Sequence, residues 1–161
     1  MKKTFIVVVM LCIMASMFAV LLNEGFEGTT FPPEEWQTAG NAWQRYTSYY
    51  HTGTACTKSG YTPSGDWWLI TPRLTPQAGA NTLTFWYRDY SSSTAWDYPD
   101  EYTYVMVSTT NTDIASFTQA LWTGDYLQFT TDWQQASVDL SAYNGQNIYI
   151  AFKSVHTGGN Y

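Results

Sequence analysis

Cysteine, histidine and charge are all scarce in this chain of 161 residues. The two cysteines are Cys12, inside an apolar N-terminal run, and Cys56. If the run is removed, one thiol remains, an internal disulfide is excluded, and the fold must rest on packing or metal. Cys56 reads as a small buried strand residue, with a reactive thiol as the alternative. The two histidines, His51 and His156, each sit in a Gly/Thr-rich turn. Neither stands beside a Gly-x-Ser-x-Gly elbow, so a Ser-His-Asp hydrolase is not supported, and one cysteine with two distant histidines has no zinc-ligand spacing. Only 12% of residues are charged, with seven basic and thirteen acidic. Loss of Lys2 and Lys3 with the first 19 residues would leave five basic against thirteen acidic, a net charge of −8 instead of −6. Nucleic acid, which needs clustered Lys and Arg, is excluded as a partner. No fixed-period repeat, linker or long helical pattern is visible after the N-terminal run.

Aromatic residues are plentiful by contrast, at 18%. Each large ring buries about 150–250 Å², more than one small core accommodates, so some rings must lie on a surface or in a cleft. At the N-terminus, Met1-Lys2-Lys3 precedes an apolar stretch to Leu22. Residues 1–19 read as a secretory signal peptide, with an uncleaved anchor as the alternative. Residues 20–161 then form one domain.

Short alternating segments separated by turn residues predict strands over 20–26, 42–48, 54–59, 67–71, 82–89, 101–108, 118–122, 133–140 and 147–154, the spacing of a β-sandwich. Asn144-Gly145, which supplies a residue tolerant of positive φ, reads as the turn between the last two, in the manner of a hairpin. Alternation sends Leu83, Phe85 and Tyr87 inward and leaves Trp86 and Arg88 on the outer surface of the sheet or under a long loop. The loop from Tyr90 to Tyr102 is long, polar and studded with aromatics. Loops of that kind on a rigid scaffold are where recognition concentrates. Trp96, Tyr98 and Trp86 are therefore the candidate ligand contacts, Trp96 foremost.

A glycosidase needs two carboxylates about 5–9.5 Å apart, and the sequence does not bring any pair together. Calcium takes hard oxygen ligands. Asn23, Glu24 and Glu27 supply three such side chains close together, where the alternative is a solvated strand end. Asp97, Asp100 and Glu101 form a second acidic group without the spacing of an EF-hand loop.

Several segments, in this order, carry a resemblance to a known family: Asn23 to Gly28 with Phe31-Pro32-Pro33 and Trp36, Asp66-Trp67-Trp68-Leu69-Ile70-Thr71-Pro72, and Leu83 to Arg88. Tyr104 to Thr110, Phe117 with Leu121-Trp122, and Trp133 to Phe152 complete it. The chain from about Leu22 onward resembles the cleaved-adhesin family of secreted bacterial jelly-roll domains. The resemblance implies an all-β jelly roll of two antiparallel sheets. It also implies a non-catalytic adhesion or binding module, in a secreted or surface protein with further domains, that recognises an extracellular protein or glycan. The alternative is a carbohydrate-binding module appended to a secreted hydrolase. Structural calcium is implied as well, with Glu27 in the first-strand position and Glu24 as helper. The family pattern continues into one more strand where this chain has His156-Thr157-Gly158-Gly159-Asn160-Tyr161, which predicts an incomplete sandwich with an unpaired edge beside Ile148 to Phe152.

Overall fold

The computed structural model describes residues 21–40, 43–59, 65–89, 102–125 and 128–156. Trp96, Tyr98, the acidic group Asp97, Asp100 and Glu101, and the proposed leader lie outside them. Among the described residues nine strands are formed: β1 (Gln37–Ala39), β2 (Trp43–Tyr46), β3 (Cys56–Ser59), β4 (Gly65–Ile70), β5 (Thr82–Tyr87), β6 (Tyr102–Ser108), β7 (Gln119–Asp125), β8 (Gln134–Asp139) and β9 (Tyr149–His156). Short 3₁₀ turns at Ile114–Ser116 and Ser141–Tyr143 are the named helical elements. The all-β expectation holds.

A five-stranded antiparallel sheet runs β1-β4-β9-β6-β7, and the pairs β2-β3 and β5-β8 form two antiparallel ribbons. The β5-β8 ribbon packs on the large sheet as the second layer of a sandwich. Between them lie Val105 and Val107 of β6, Ile148, Ile150 and Phe152 around β9, Leu83 and Phe85 of β5, and Val138 and Leu140 around β8. The period-2 pattern of each strand places these residues on one face. Val105, Ile148 and Ile150 are fully buried, and each such side chain contributes about 1.5–3 kcal/mol through burial. The opposite face of the large sheet carries Trp68, Ile70, Met106, Tyr149 and Ala151, covered in part by Phe117 after the first 3₁₀ turn. β4 stops at the Thr71-Pro72 step. Thr71 remains bonded to the sheet, with its N–H on the Ile150 carbonyl at 2.9 Å and its Oγ1 accepting from Ile150 N at 3.1 Å.

Three sequence expectations are corrected. Residues 21–27 do not form a strand. Phe26 has φ +61°, which is incompatible with an extended ladder, and the apolar pattern there serves to pack Phe26 against Trp36 at 5.5 Å. β1, which the sequence pattern did not announce, holds the sheet edge instead. The strands flanking Asn144-Gly145 do not pair with each other, because β8 joins β5 while β9 crosses to the large sheet. Gly145 does supply the expected positive φ, +76°, and its N–H reaches the Pro76 carbonyl at 2.8 Å. Finally, the edge beside Ile148 to Phe152 is not open. β9 is an interior strand, paired with β4 through Ala151 and Phe152 on one side and with β6 through Tyr149 to Phe152 on the other.

Candidate binding face

Trp86 points away from the core, as the alternation of β5 requires, and is 43% exposed. What lies on it was not legible in the sequence. His51, in the loop between β2 and β3, stacks on the Trp86 ring with centroids 3.8 Å apart and planes inclined by 13°. Trp133, just before β8, meets His51 edge-on at 5.7 Å. The guanidinium of Arg88, just past β5, lies 4.8 Å from the Tyr49 ring and 5.8 Å from the Trp133 ring, both within the range of cation–π attraction. Tyr49 and Tyr50 are exposed at 47% and 44%. Trp86 and Arg88 were expected on the outer surface and are found there. Tyr49, Tyr50, His51 and Trp133 were missed. The run Tyr49-Tyr50-His51 beside a turn glycine was the signal, but an aromatic run in a turn does not say which strand it crosses.

The loop carrying Tyr49 to His51 is held at both ends. The Cys56 thiol donates to the Tyr49 carbonyl at 3.0 Å. Burial pushes this thiol above its ordinary pKa, with Lys58 and Arg88 opposing, so it stays protonated and serves as a donor instead of a nucleophile. At the other end the Glu27 carboxylate accepts from Thr54 N at 3.0 and 3.1 Å and from Thr54 Oγ1 at 2.6 Å. These bonds hold the Glu27 carboxyl below the usual carboxylate range. Gly53, with φ +72°, passes so close that a Cβ there would lie 1.9 Å from Glu27 Oε1, so glycine is required by both conformation and space. Arg45 of β2 completes the clamp, donating from Nε to the Phe26 carbonyl at 2.8 Å and from Nη2 to the Glu27 carbonyl at 3.1 Å.

Both predicted metal contacts are thus placed. Glu27 secures the aromatic loop. Glu24 accepts from the Phe26 N–H through Oε1. Among the described residues, the two do not gather with a third acidic, histidine or cysteine side chain. Among the described residues His51 also has no hydrogen bond to a nucleophile or an acid; its ring stacks on Trp86.

The cleaved adhesin domain model matches residues 19–161. Hemagglutinin A of Porphyromonas gingivalis is 28% identical over 86% of this chain, and the same protein of strain ATCC BAA-308 / W83 is 29% identical over 83%. The chain spans only about 6–7% of the length of these relatives. Among solved structures, the K3 cleaved adhesin domain of Lys-gingipain from P. gingivalis W83 superposes with a TM-score of 0.67 at 28% identity, covering 87% of this chain and 91% of that one. The K1 domain of the same protein, at 24% identity and TM-score 0.55, covers 84% of this chain and 97% of its own and shares the fold. The matched span takes in the segments through which the sequence resembled this family, and the chain belongs to the cleaved adhesin domain family.

Proposed function

We propose that this domain is a non-catalytic adhesion module of a larger secreted or surface protein and that it engages an extracellular protein or glycan through the Trp86 face. Membership in a family of adhesin domains supports the general class. The observation that carries the site is the exposed Trp86–His51 stack with Tyr49, Tyr50, Arg88 and Trp133 around it. A soluble domain gains nothing from leaving several large rings in water, and an apolar patch rimmed by polar groups marks an interaction surface. Aromatic and Arg side chains are also the residues that dominate binding energy at interfaces. Trp96 and Tyr98 remain proposed contacts from the neighbouring loop. The test is adhesion to erythrocytes and to immobilised matrix proteins. Trp86→Ala is expected to weaken adhesion at least tenfold while costing no more than about 1.5 kcal/mol of stability, and full adhesion by the variant refutes the site.

Structural calcium through Glu27 and Glu24 is a separate proposal for the same end of the domain. Calcium takes six to eight oxygens, so two carboxylates must be joined by backbone carbonyls and water. The carbonyls of Phe26 and Glu27 are at hand but already accept from Arg45. Calcium binding to the native state would raise the melting temperature with concentration. Identical melts in calcium and in chelator refute it.

A further inference from the structure

Basic side chains stand close to the Trp86 face of a domain whose net charge is negative. From residue 20 onward the basic residues are Arg45, Lys58, Arg73, Arg88 and Lys153, against thirteen acids. Arg45 and Lys58 lie on the β2-β3 ribbon, and Arg88 follows β5. Lys58 and Arg88 are both close enough to act on the Cys56 thiol. Lys58 and Arg88 therefore stand beside the loop that carries Tyr49 and Tyr50, while the Arg45 guanidinium is taken up by the Phe26 and Glu27 carbonyls.

Lys153 and Arg88 differ in how their charge is met. Lys153 pairs with Asp66 at 2.6 Å. Arg88 has no carboxylate partner among the described residues. Its Nε donates to the Asp89 carbonyl at 2.8 Å, which leaves the two terminal amino groups of the guanidinium for a ligand. The rings of Tyr49 and Trp133 limit its freedom, so little ordering entropy remains to be lost on binding.

We propose that the Trp86 face binds a carboxylate-bearing pyranose, with the Arg88 fork holding the carboxylate and the Trp86 indole packing on the apolar face of the sugar ring. The assignment rests on the reading of this face as the binding surface and adds the ligand's chemical class. Arg donates to carboxylates in a planar, two-pronged geometry, and the indole, covered by His51 on one face and 43% exposed in all, supplies its remaining open surface as the apolar platform next to it. A sugar ring fits this arrangement better than an extended peptide, which draws its affinity from a sheet edge; the Trp86 face is the broad side of a ribbon. The net negative charge of the domain excludes polyanionic nucleic acid but not a ligand with one carboxylate per ring. Sialic acids and uronic acids both present this chemistry.

Calorimetric titration of the protein with 3′-sialyllactose, with a hyaluronan tetrasaccharide, and with lactose as the uncharged control tests the assignment. At least one acidic sugar is expected to bind about tenfold or more tightly than lactose, and which one binds identifies the source. Arg88→Gln is expected to bring its affinity down to the lactose level, Arg88→Lys to an intermediate value, and Trp86→Ala to abolish binding. Should Arg88→Gln not fold, as judged by its melt, Arg88→Lys and the salt dependence of the native protein decide. Affinity that is unchanged between about 50 and 500 mM salt overturns the proposal, because exposed charge pairs are screened over this range. Equal binding of lactose and the acidic sugars, or full affinity in the Arg88 variants, also overturns it. Absence of sugar binding while Trp86→Ala still impairs adhesion overturns the ligand class and leaves the face intact. Adhesion indifferent to Trp86→Ala refutes the face itself.

Discussion

Phe85 and Trp86 are neighbours in one strand and belong to two different aromatic clusters. Phe85 faces inward and meets Trp122 and Phe152 edge-on, each at 5.2 Å, while Tyr87 on the same side contacts Trp122 at 5.3 Å and Phe129 at 4.9 Å. Trp86 faces outward onto His51, with Trp133 and Arg88 close by. The inner rings meet each other in edge-to-face and tilted contacts that fill volume between two sheets. The outer rings meet a histidine and a cation and remain wet. A single alternation therefore divides a surplus of aromatic residues into those that hold the sandwich together and those left part-exposed on its outer side.

Truncation should separate the two clusters most sharply. Phe85→Ala removes a ring packed between the layers, and large-to-small core changes of this type cost about 3–5 kcal/mol. Trp86→Ala removes only part-exposed stacking on His51, worth about 0.5–1.5 kcal/mol. Chemical denaturation of both variants checks the difference. Comparable losses would show that the outer cluster is structural and would end the division proposed for β5.

A second test overfills the inner cluster. Gly124 is buried in β7, and a Cβ added there would lie 2.3 Å from Trp122 Cη2 and 2.6 Å from Phe129 Cζ. Both rings belong to the inner packing, so neither moves without disturbing Phe85 or Tyr87. Gly124→Ala is expected to cost about 1–3 kcal/mol and to leave binding at the Trp86 face unaffected. A stable Gly124→Ala protein, read by the same denaturation, would mean that the inner rings are looser than their contacts imply.

The division of β5 was legible in the sequence because period-2 alternation is local. Leu83, Phe85 and Tyr87 were assigned inward, and Trp86 and Arg88 outward, from six consecutive residues. The sandwich was legible for the same reason, repeated along the chain. Strand pairing was not. That β9 lies between β4 and β6, and that β8 joins β5, follows from contacts far apart in sequence, such as Ile70 with Ala151 and Leu83 with Val138. Periodicity gives each strand its faces but not its neighbours. The same limit hid the candidate site. The stacking of His51 on Trp86 joins a turn to a strand 35 positions later, and both were visible separately. Glu27 was singled out for its oxygens, and its carboxylate does bind strongly, but to the Thr54 N–H and hydroxyl that pin the aromatic loop.

The smallest expected effect concerns the solvent side of β8, where the alternation that buries Ala136 and Val138 leaves Asp139 exposed. Its carboxylate accepts from Ser141 N at 2.8 Å and from Ser141 Oγ at 2.9 Å, fixing the 3₁₀ turn that leads from β8 to the crossing segment. The Ser141 backbone bond, then its hydroxyl, holds the Asp139 carboxyl below the usual carboxylate range in the folded protein. A folded-state pKa below the unfolded one means that the unfolded chain takes up the proton first. The stabilisation is therefore complete above the unfolded carboxylate pKa and disappears as pH falls through the folded one. Asp139→Asn keeps one acceptor but removes the charge. Its melting temperature is expected to lie slightly below that of the native protein at pH 7, with the gap closing in the acid range. The Trp86→Ala deficit should follow a different course, because no carboxylate takes part in the stacking it removes. Melts of the three proteins from pH 7 to pH 3 test this, and an Asp139→Asn gap that persists unchanged at pH 3 would show that the turn is held by geometry alone.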